Sequence, residues 1–339
     1  MNCGGYLDDM DTPNTPALLH TPLTRLLGVR HPIVLAAMDL VADARLVRAV
    51  TEAGGYGFLG AGYGDEAWLR RELAALASLQ QPFGVGFITW SLARQPHLLD
   101  IALDARPSAV WLSFGDVAPF AQRIKASGAR LVCQVQTEAM AQDALRHGAD
   151  LLVAQGAEAG GHGVSRGTMA LVPALVDLAG TDVPVIAAGG IADGRGIAAA
   201  LALGAAGVAL GTRLYATEEA AGFATAKERI VAASGDDTQR SIVFDLSRRN
   251  VWPAPYTGRC LQNEHLRRWS GRELELLREQ GEVADRYAAA RASGNFDTAA
   301  VIAGEAAGLI HDLPRVAELL PRLVSEAVTQ LRQTHLFIT

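Results

Sequence analysis

The sequence predicts a (β/α)8 barrel, an α/β fold, carrying a C-terminal helical cap, and three observations point to it. Between Pro32 and about Leu214, eight short apolar runs rich in Val, Ile and Leu alternate with amphipathic stretches of about a dozen residues. Uninterrupted apolar runs of this length suit strands buried on both faces, as parallel sheets require. Glycine-rich loops follow the seventh and eighth runs, the position at which such barrels often hold phosphate. A doubly wound open sheet shares the local pattern and is the alternative architecture.

Residues 1–20 read as a loosely held arm. The barrel is assigned to 21–215, with strands expected at Ile33–Ala37, Tyr56–Leu59, Phe83–Ile88, Ala109–Leu112, Leu131–Val135, Leu151–Ala154, Val185–Ala188 and Gly207–Leu210. Helices are expected between them, at Asp43–Ala53, Asp65–Leu79, Val117–Ser127, Glu138–His147 and Gly194–Leu203, several ending at a glycine able to cap them. In 216–339 the composition shifts towards Arg, Glu and Ala, with helical patterns at Glu218–Ala233, Glu264–Arg291, Thr298–Ile310 and Leu313–Arg332. Val251-Trp252-Pro253-Ala254-Pro255 cannot continue a helix and reads as a link. This region is expected to pack as a mainly helical cap over one barrel mouth.

With 30 Lys plus Arg against 36 Asp plus Glu, the 339 residues carry a formal charge of −6, and no basic run exceeds two residues. Such a chain lacks the positive field that nucleic-acid backbones require. Half the residues are hydrophobic, ample for a core. The uncharged stretch Gly196–Thr212 contains four glycines and is shorter than the roughly 20 apolar residues that span a bilayer, and the longer one, Leu73–Ala93, is broken by Gln80-Gln81-Pro82. Acidic residues near the start do not fit a secretory signal, and Cys3, Cys133 and Cys260 form no CxxC pair. A cytoplasmic protein without structural zinc or disulfides is the expectation.

In barrels, chemistry gathers at the carboxyl ends of the strands. There the sequence places Gly189-Gly190, then Gly211-Thr212-Arg213, both suited to an anion because glycine lets backbone N–H groups approach it closely. After the sixth run comes Gln155-Gly156-Ala157-Glu158-Ala159-Gly160-Gly161-His162-Gly163. His162, in a small-residue loop at the mouth, is the candidate acid or base. The other seven histidines lie at termini, in links or on helices without metal-ligand spacing, so no metal is expected. Glu158 suits a loop-capping role. Arg213, Tyr215 and Glu305 are further candidates for the mouth.

Together and in order, PIVLAAM (32–38), AQGAEAGGHG (154–163) and VPVIAAGGIADGRGIAAALALGAAGVALGTR (183–213) resemble the nitronate monooxygenases, the former 2-nitropropane dioxygenase family. GEAAGL (304–309) extends the likeness more loosely. The resemblance implies an FMN-dependent barrel. Ala36, Ala37 and Met38 would lie against the flavin, Gln134 and Gln155 would contact its ring or ribityl region, and Gly160 and Gly161 would line it. Gly189, Gly190, Gly211 and Thr212 would hold its phosphate. His162 would be the base that takes a proton from a nitroalkane, or would position a nitronate, with O2 reoxidising the flavin and a carbonyl compound and nitrite as products. Met38, Phe87 and Trp90 are candidate cavity walls, and a homodimer is left open. One departure stands out: relatives often read PFGVN where this chain has Pro82-Phe83-Gly84-Val85-Gly86. The same segments also resemble enoyl-acyl-carrier-protein reductase II and NAD(P)H:quinone reductases, in which a nicotinamide reduces the flavin. A flavin-binding protein without turnover is the third reading.

Overall fold

The computed structural model describes residues 18–335, so the expected arm and Cys3 lie almost wholly outside it. Eight parallel strands form the barrel: β1 (Ile33–Leu35), β2 (Phe58–Gly60), β3 (Gly84–Ile88), β4 (Ala109–Ser113), β5 (Arg130–Val135), β6 (Leu151–Gln155), β8 (Val185–Ala188) and β9 (Gly207–Leu210). Their order is β1-β9-β8-β6-β5-β4-β3-β2. The ring closes through a parallel bridge between Val34 and Tyr56, where Leu35 N donates to Tyr56 O at 2.9 Å.

The expected strands all form, each displaced by no more than about a turn's length, because their apolar runs face two buried layers. Val34, Tyr56, Phe58, Trp111, Val132, Val153 and Ile186 point into the barrel, with Phe58 and Trp111 in an edge-to-face pair 5.0 Å apart. The alternate residues pack outward against the helices. The helix Pro22–Leu27 plugs the floor with Leu23 and Leu27. Asp43, Asp65, Thr137 and Asp193 cap the helices they precede through side-chain acceptors.

After the barrel the expectations meet corrections. The single helix expected over Glu264–Arg291 is three, Glu264–Trp269, Glu273–Arg278 and Gln280–Ser293, the first break falling at Gly271 with φ +77°. Helix Ala224–Ala232 starts later than expected, after Gly222 with φ +106°. Thr298–Ile310 is not an α-helix. After a turn at Asn295–Ala299, Glu305–Leu309 winds as a 3-10 turn, and the stretch between them is held extended: Val301 O accepts from Leu261 N, and Glu305 N donates to Glu158 O of the glycine loop, both at 2.9 Å. A Cβ on Gly304 would lie 2.5 Å from Glu158 O.

A small antiparallel sheet, unexpected from the sequence, is made of β7 (Gly161–Gly163), β10 (Thr238–Ser241) and β11 (Thr257–Leu261), in the order β10-β11-β7. Its strands are short, and one comes from the loop after β6. A short helix, Val243–Ser247, follows β10. The long helix Val316–His335 packs against Ala44–Glu52 and Gly194–Ala202 of the barrel's outer layer, so the region expected as cap is shared between cap and barrel wall. Among the described residues no helix is long and apolar enough to cross a membrane.

Candidate active site

At the carboxyl ends of the strands lies a cavity of about 430 Å³, within the usual ~300–1,000 Å³ of small-molecule sites. It brings together Ala36, Ala37, Met38, Gln134, Gln155, Gly160, Gly161, His162, Gly189, Gly190, Gly211 and Thr212, that is, every residue singled out from the sequence as base or flavin contact.

One end is backbone. Gly189 and Gly190 have φ of +102° and +74°, a region that side chains avoid. Among the described residues, the N–H groups of Gly190 and Gly211 donate to no acceptor in the protein. A Cβ on Gly211 would meet nothing nearer than Met38 Sδ at 3.7 Å, so the space beside this end is open. Unpaired donors around an open glycine cradle suit a phosphate. Thr212 Oγ1 accepts from Gly304 N at 3.0 Å, tying the cradle to the GEAAGL segment.

The middle is amide and small side chain. Gln155 Oε1 accepts from Gln134 Nε2 at 2.8 Å and from Gln136 Nε2 at 2.7 Å. Gln136, just after β5, is not singled out by the sequence; it lies two residues beyond Gln134 and points to the same side. Gly86 has a local cause: a Cβ there would sit 2.2 Å from Ala37 Cβ. Ala37 occupies the room that an asparagine would need.

The other end is built from side chains of the cap and of barrel loops. His162 is buried on β7, opposite Gly258 of β11. Its Nε2 lies 2.9 Å from Asp245 Oδ2, and Arg248 donates to Asp245 Oδ1 at 2.5 Å. Trp252 stacks on the imidazole, centroids 3.4 Å apart and planes 6° from parallel. Trp252 Nε1 in turn donates to the Tyr63 hydroxyl at 2.9 Å, and Phe114 and Tyr256 pack edge-on around it. Burial lowers the His162 pKa below the ordinary 6.5, the Asp245 hydrogen bond opposing that shift. Across the cavity, burial pushes Asp39 up to about 6, with Arg291 and Arg248 pulling the other way. Asp245, Arg248, Tyr63 and Phe114 carried no sequence signal. Trp252 was visible only as part of the proline-rich link.

Two arginines bolt the glycine loop to the cap sheet. Arg240 donates to Ala157 O at 2.9 Å and to Thr257 O at 2.5 Å, while Arg259 donates to Ala157 O at 3.0 Å and pairs with Glu305 at 2.9 Å. Glu305 is thereby engaged in the bolt. Glu158 caps the helix Thr168–Ala179, accepting from Thr168 N and Oγ1 at 2.8–3.0 Å. Tyr215 lines the cavity, whereas Arg213 is buried, held by Asp312 and Ala216 O. Of the candidate walls, Met38 lines the cavity. Phe87 packs outward into the helix layer, as strand alternation demands, and Trp90 stands behind Trp252, 5.3 Å between ring centres. Among the described residues no cluster suits a metal.

Comparison with known proteins supplies the lineage. The family model "Nitronate monooxygenase" matches residues 20–97 and 89–326. A Mycobacterium tuberculosis protein named (3aS,4S,5R,7aS)-5-hydroxy-7a-methyl-1-oxo-octahydro-1H-indene-4-carboxyl-CoA dehydrogenase is 31% identical, covering 93% of this chain and 98% of the relative. The nitronate monooxygenase npaC of Metarhizium robertsii is 38% identical over 74% of this chain and 78% of its own. The structure of FabK from Thermotoga maritima superposes with a TM-score of 0.84 at 30% identity, covering 94% of this chain and all of the other. With its glycine cradle and buried histidine at the mouth of a (β/α)8 barrel, the chain is an oxidoreductase that belongs to the nitronate monooxygenase family.

Proposed function

We propose that this enzyme binds FMN in the cavity and oxidises alkyl nitronates or nitroalkanes with O2 to a carbonyl compound and nitrite, with His162 as the base. The observation that carries the reading is convergence: one cavity joins an anion cradle with unpaired N–H donors to a buried histidine whose ring is held on three sides. FMN, when bound, supplies the electron acceptor that O2 regenerates. Gly189, Gly190, Gly211 and Thr212 would hold its phosphate, Ala36, Ala37 and Met38 would pack against it, Gly160 and Gly161 would line it, and Gln134 and Gln155 would meet its polar edge. Tyr63, whose oxygen already accepts from Trp252, keeps its own proton free for a nitro oxygen. Trp252 and Phe114 exclude water from that end.

A second reading is a flavin reductase driven by NAD(P)H, favoured by the likeness to FabK over the whole chain. Flavin absorbance followed anaerobically separates the two. Bleaching by propyl-2-nitronate alone supports the oxidation, bleaching by NADPH alone supports the reductase, and a protein that takes up no FMN overturns both.

A further inference from the structure

Resting on the nitronate reading and deepening it, we propose that Asp245 is the positioning residue of the base: it engages the Nε2 proton of His162, fixes the tautomer with Nδ1 bare, and so makes proton abstraction depend on a docked cap. The contact joins two buried side chains 83 residues apart. A carboxylate with a guanidinium on its other oxygen offers only acceptors here, so the proton of the pair belongs to Nε2. Nδ1 has no hydrogen-bond partner among the described residues, and the ring lines the cavity. A neutral imidazole in this tautomer presents its lone pair at Nδ1, the atom left for substrate.

Most restraints on the ring come from the cap, with Phe114 of the barrel packed edge-on against it. Asp245 follows β10, Trp252 covers a face, and Gly258 lies opposite in β11, where a Cβ would stand 3.4 Å from Nε2. The charged groups facing the ring are Asp245, Arg248 and Arg240, two cations and one anion, so removing the anion leaves a cationic surrounding that opposes protonation. In the transfer itself the substrate's α C–H bond breaks, its electron pair stays on the nitronate, the proton goes to Nδ1, and the resulting imidazolium donates Nε2–H to Asp245. A substrate that arrives already ionised skips this step.

Asp245→Asn in the FMN-loaded protein tests the proposal with nitroethane and ethylnitronate as probes. The expected result is a loss of about 100-fold or more in kcat/KM for nitroethane, with ethylnitronate within about threefold of wild type. Asp245→Glu, which keeps the carboxylate, should recover much of the nitroethane rate. Equal losses on both probes, or no loss on nitroethane, would overturn it. The wild-type holoenzyme provides a readout independent of turnover: histidine 15N spectra should show His162 protonated at Nε2 and bare at Nδ1, and the reverse tautomer would refute the assignment even if Asp245→Asn did not fold. Should wild type oxidise neither probe, the nitronate reading fails, while the tautomer still decides the role of Asp245.

Discussion

The two ends of the cavity are built by opposite means. The cradle end uses backbone: Gly189-Gly190 after one strand and Gly211 after the next, with N–H groups of Gly190 and Gly211 that donate to no acceptor among the described residues. The base end uses side chains gathered from distant segments, with His162 on β7 and Asp245, Arg248 and Trp252 on the cap. A site made of backbone needs contiguous permissive residues and leaves a motif. A site made of side chains needs only that a few residues arrive in one place, and it leaves almost none.

The contrast can be broken hardest at the base. His162→Ala should reduce nitroethane turnover by roughly 10²–10⁴-fold, the usual contribution of a positioned base, without loss of FMN affinity measured by fluorescence quenching. In wild type the neutral imidazole is the active form and its pKa lies below 6.5, so the acid limb of the nitroethane pH profile should fall below that value. A variant that loses FMN as well would show the two ends to be one unit.

At the cradle, Gly189→Val forces a branched side chain into φ +102° with Ala159 N 2.9 Å from its Cβ. At roughly 1–3 kcal/mol of strain, FMN affinity should drop by about 10- to 100-fold, read by titration. Gly86→Asn should cost about 1–3 kcal/mol in urea denaturation through overpacking against Ala37, and Ala37→Gly should restore most of it in the double variant. Without that rescue, the tight contact would not be what holds glycine at 86.

The smallest effect tests a region outside both ends. Among the described residues, buried His31 has no hydrogen-bond partner on either ring nitrogen, and burial, assisted by Arg30, lowers its pKa. The group is neutral in the fold and takes a proton more readily once unfolded. Its contribution is therefore complete above pH 6.5 and fades as pH falls below it. His31→Leu should flatten the decline of the urea midpoint between pH 7.5 and 5.5.

Legibility followed the same division. The eight strands could be read because each apolar run is buried on both faces, and the cradle because Gly189-Gly190 and Gly211 sit immediately after two of them. The extended path through Val301–Gly304 and the small sheet could not, because tertiary contacts with the glycine loop and β11 outweigh local helical preference. Asp245 lies in a segment whose position is fixed only when β10 and β11 pair, and nothing in its neighbours announces a partner 83 residues away.

The helix Val316–His335 carries a consequence for how the ring is fastened. It lies across Ala44–Glu52 and Gly194–Ala202, the helices after β1 and before β9, and β1 and β9 are hydrogen-bonded neighbours. Its Glu326 accepts from Gly194 N at 3.0 Å, clasping the start of the helix that follows the Gly189-Gly190 turn. The helix made last among the described elements thus straddles the junction of the barrel's first strand with its last. A nascent chain can stack its strands in sequence, but the clasp over that junction is delivered only as synthesis of the described chain finishes.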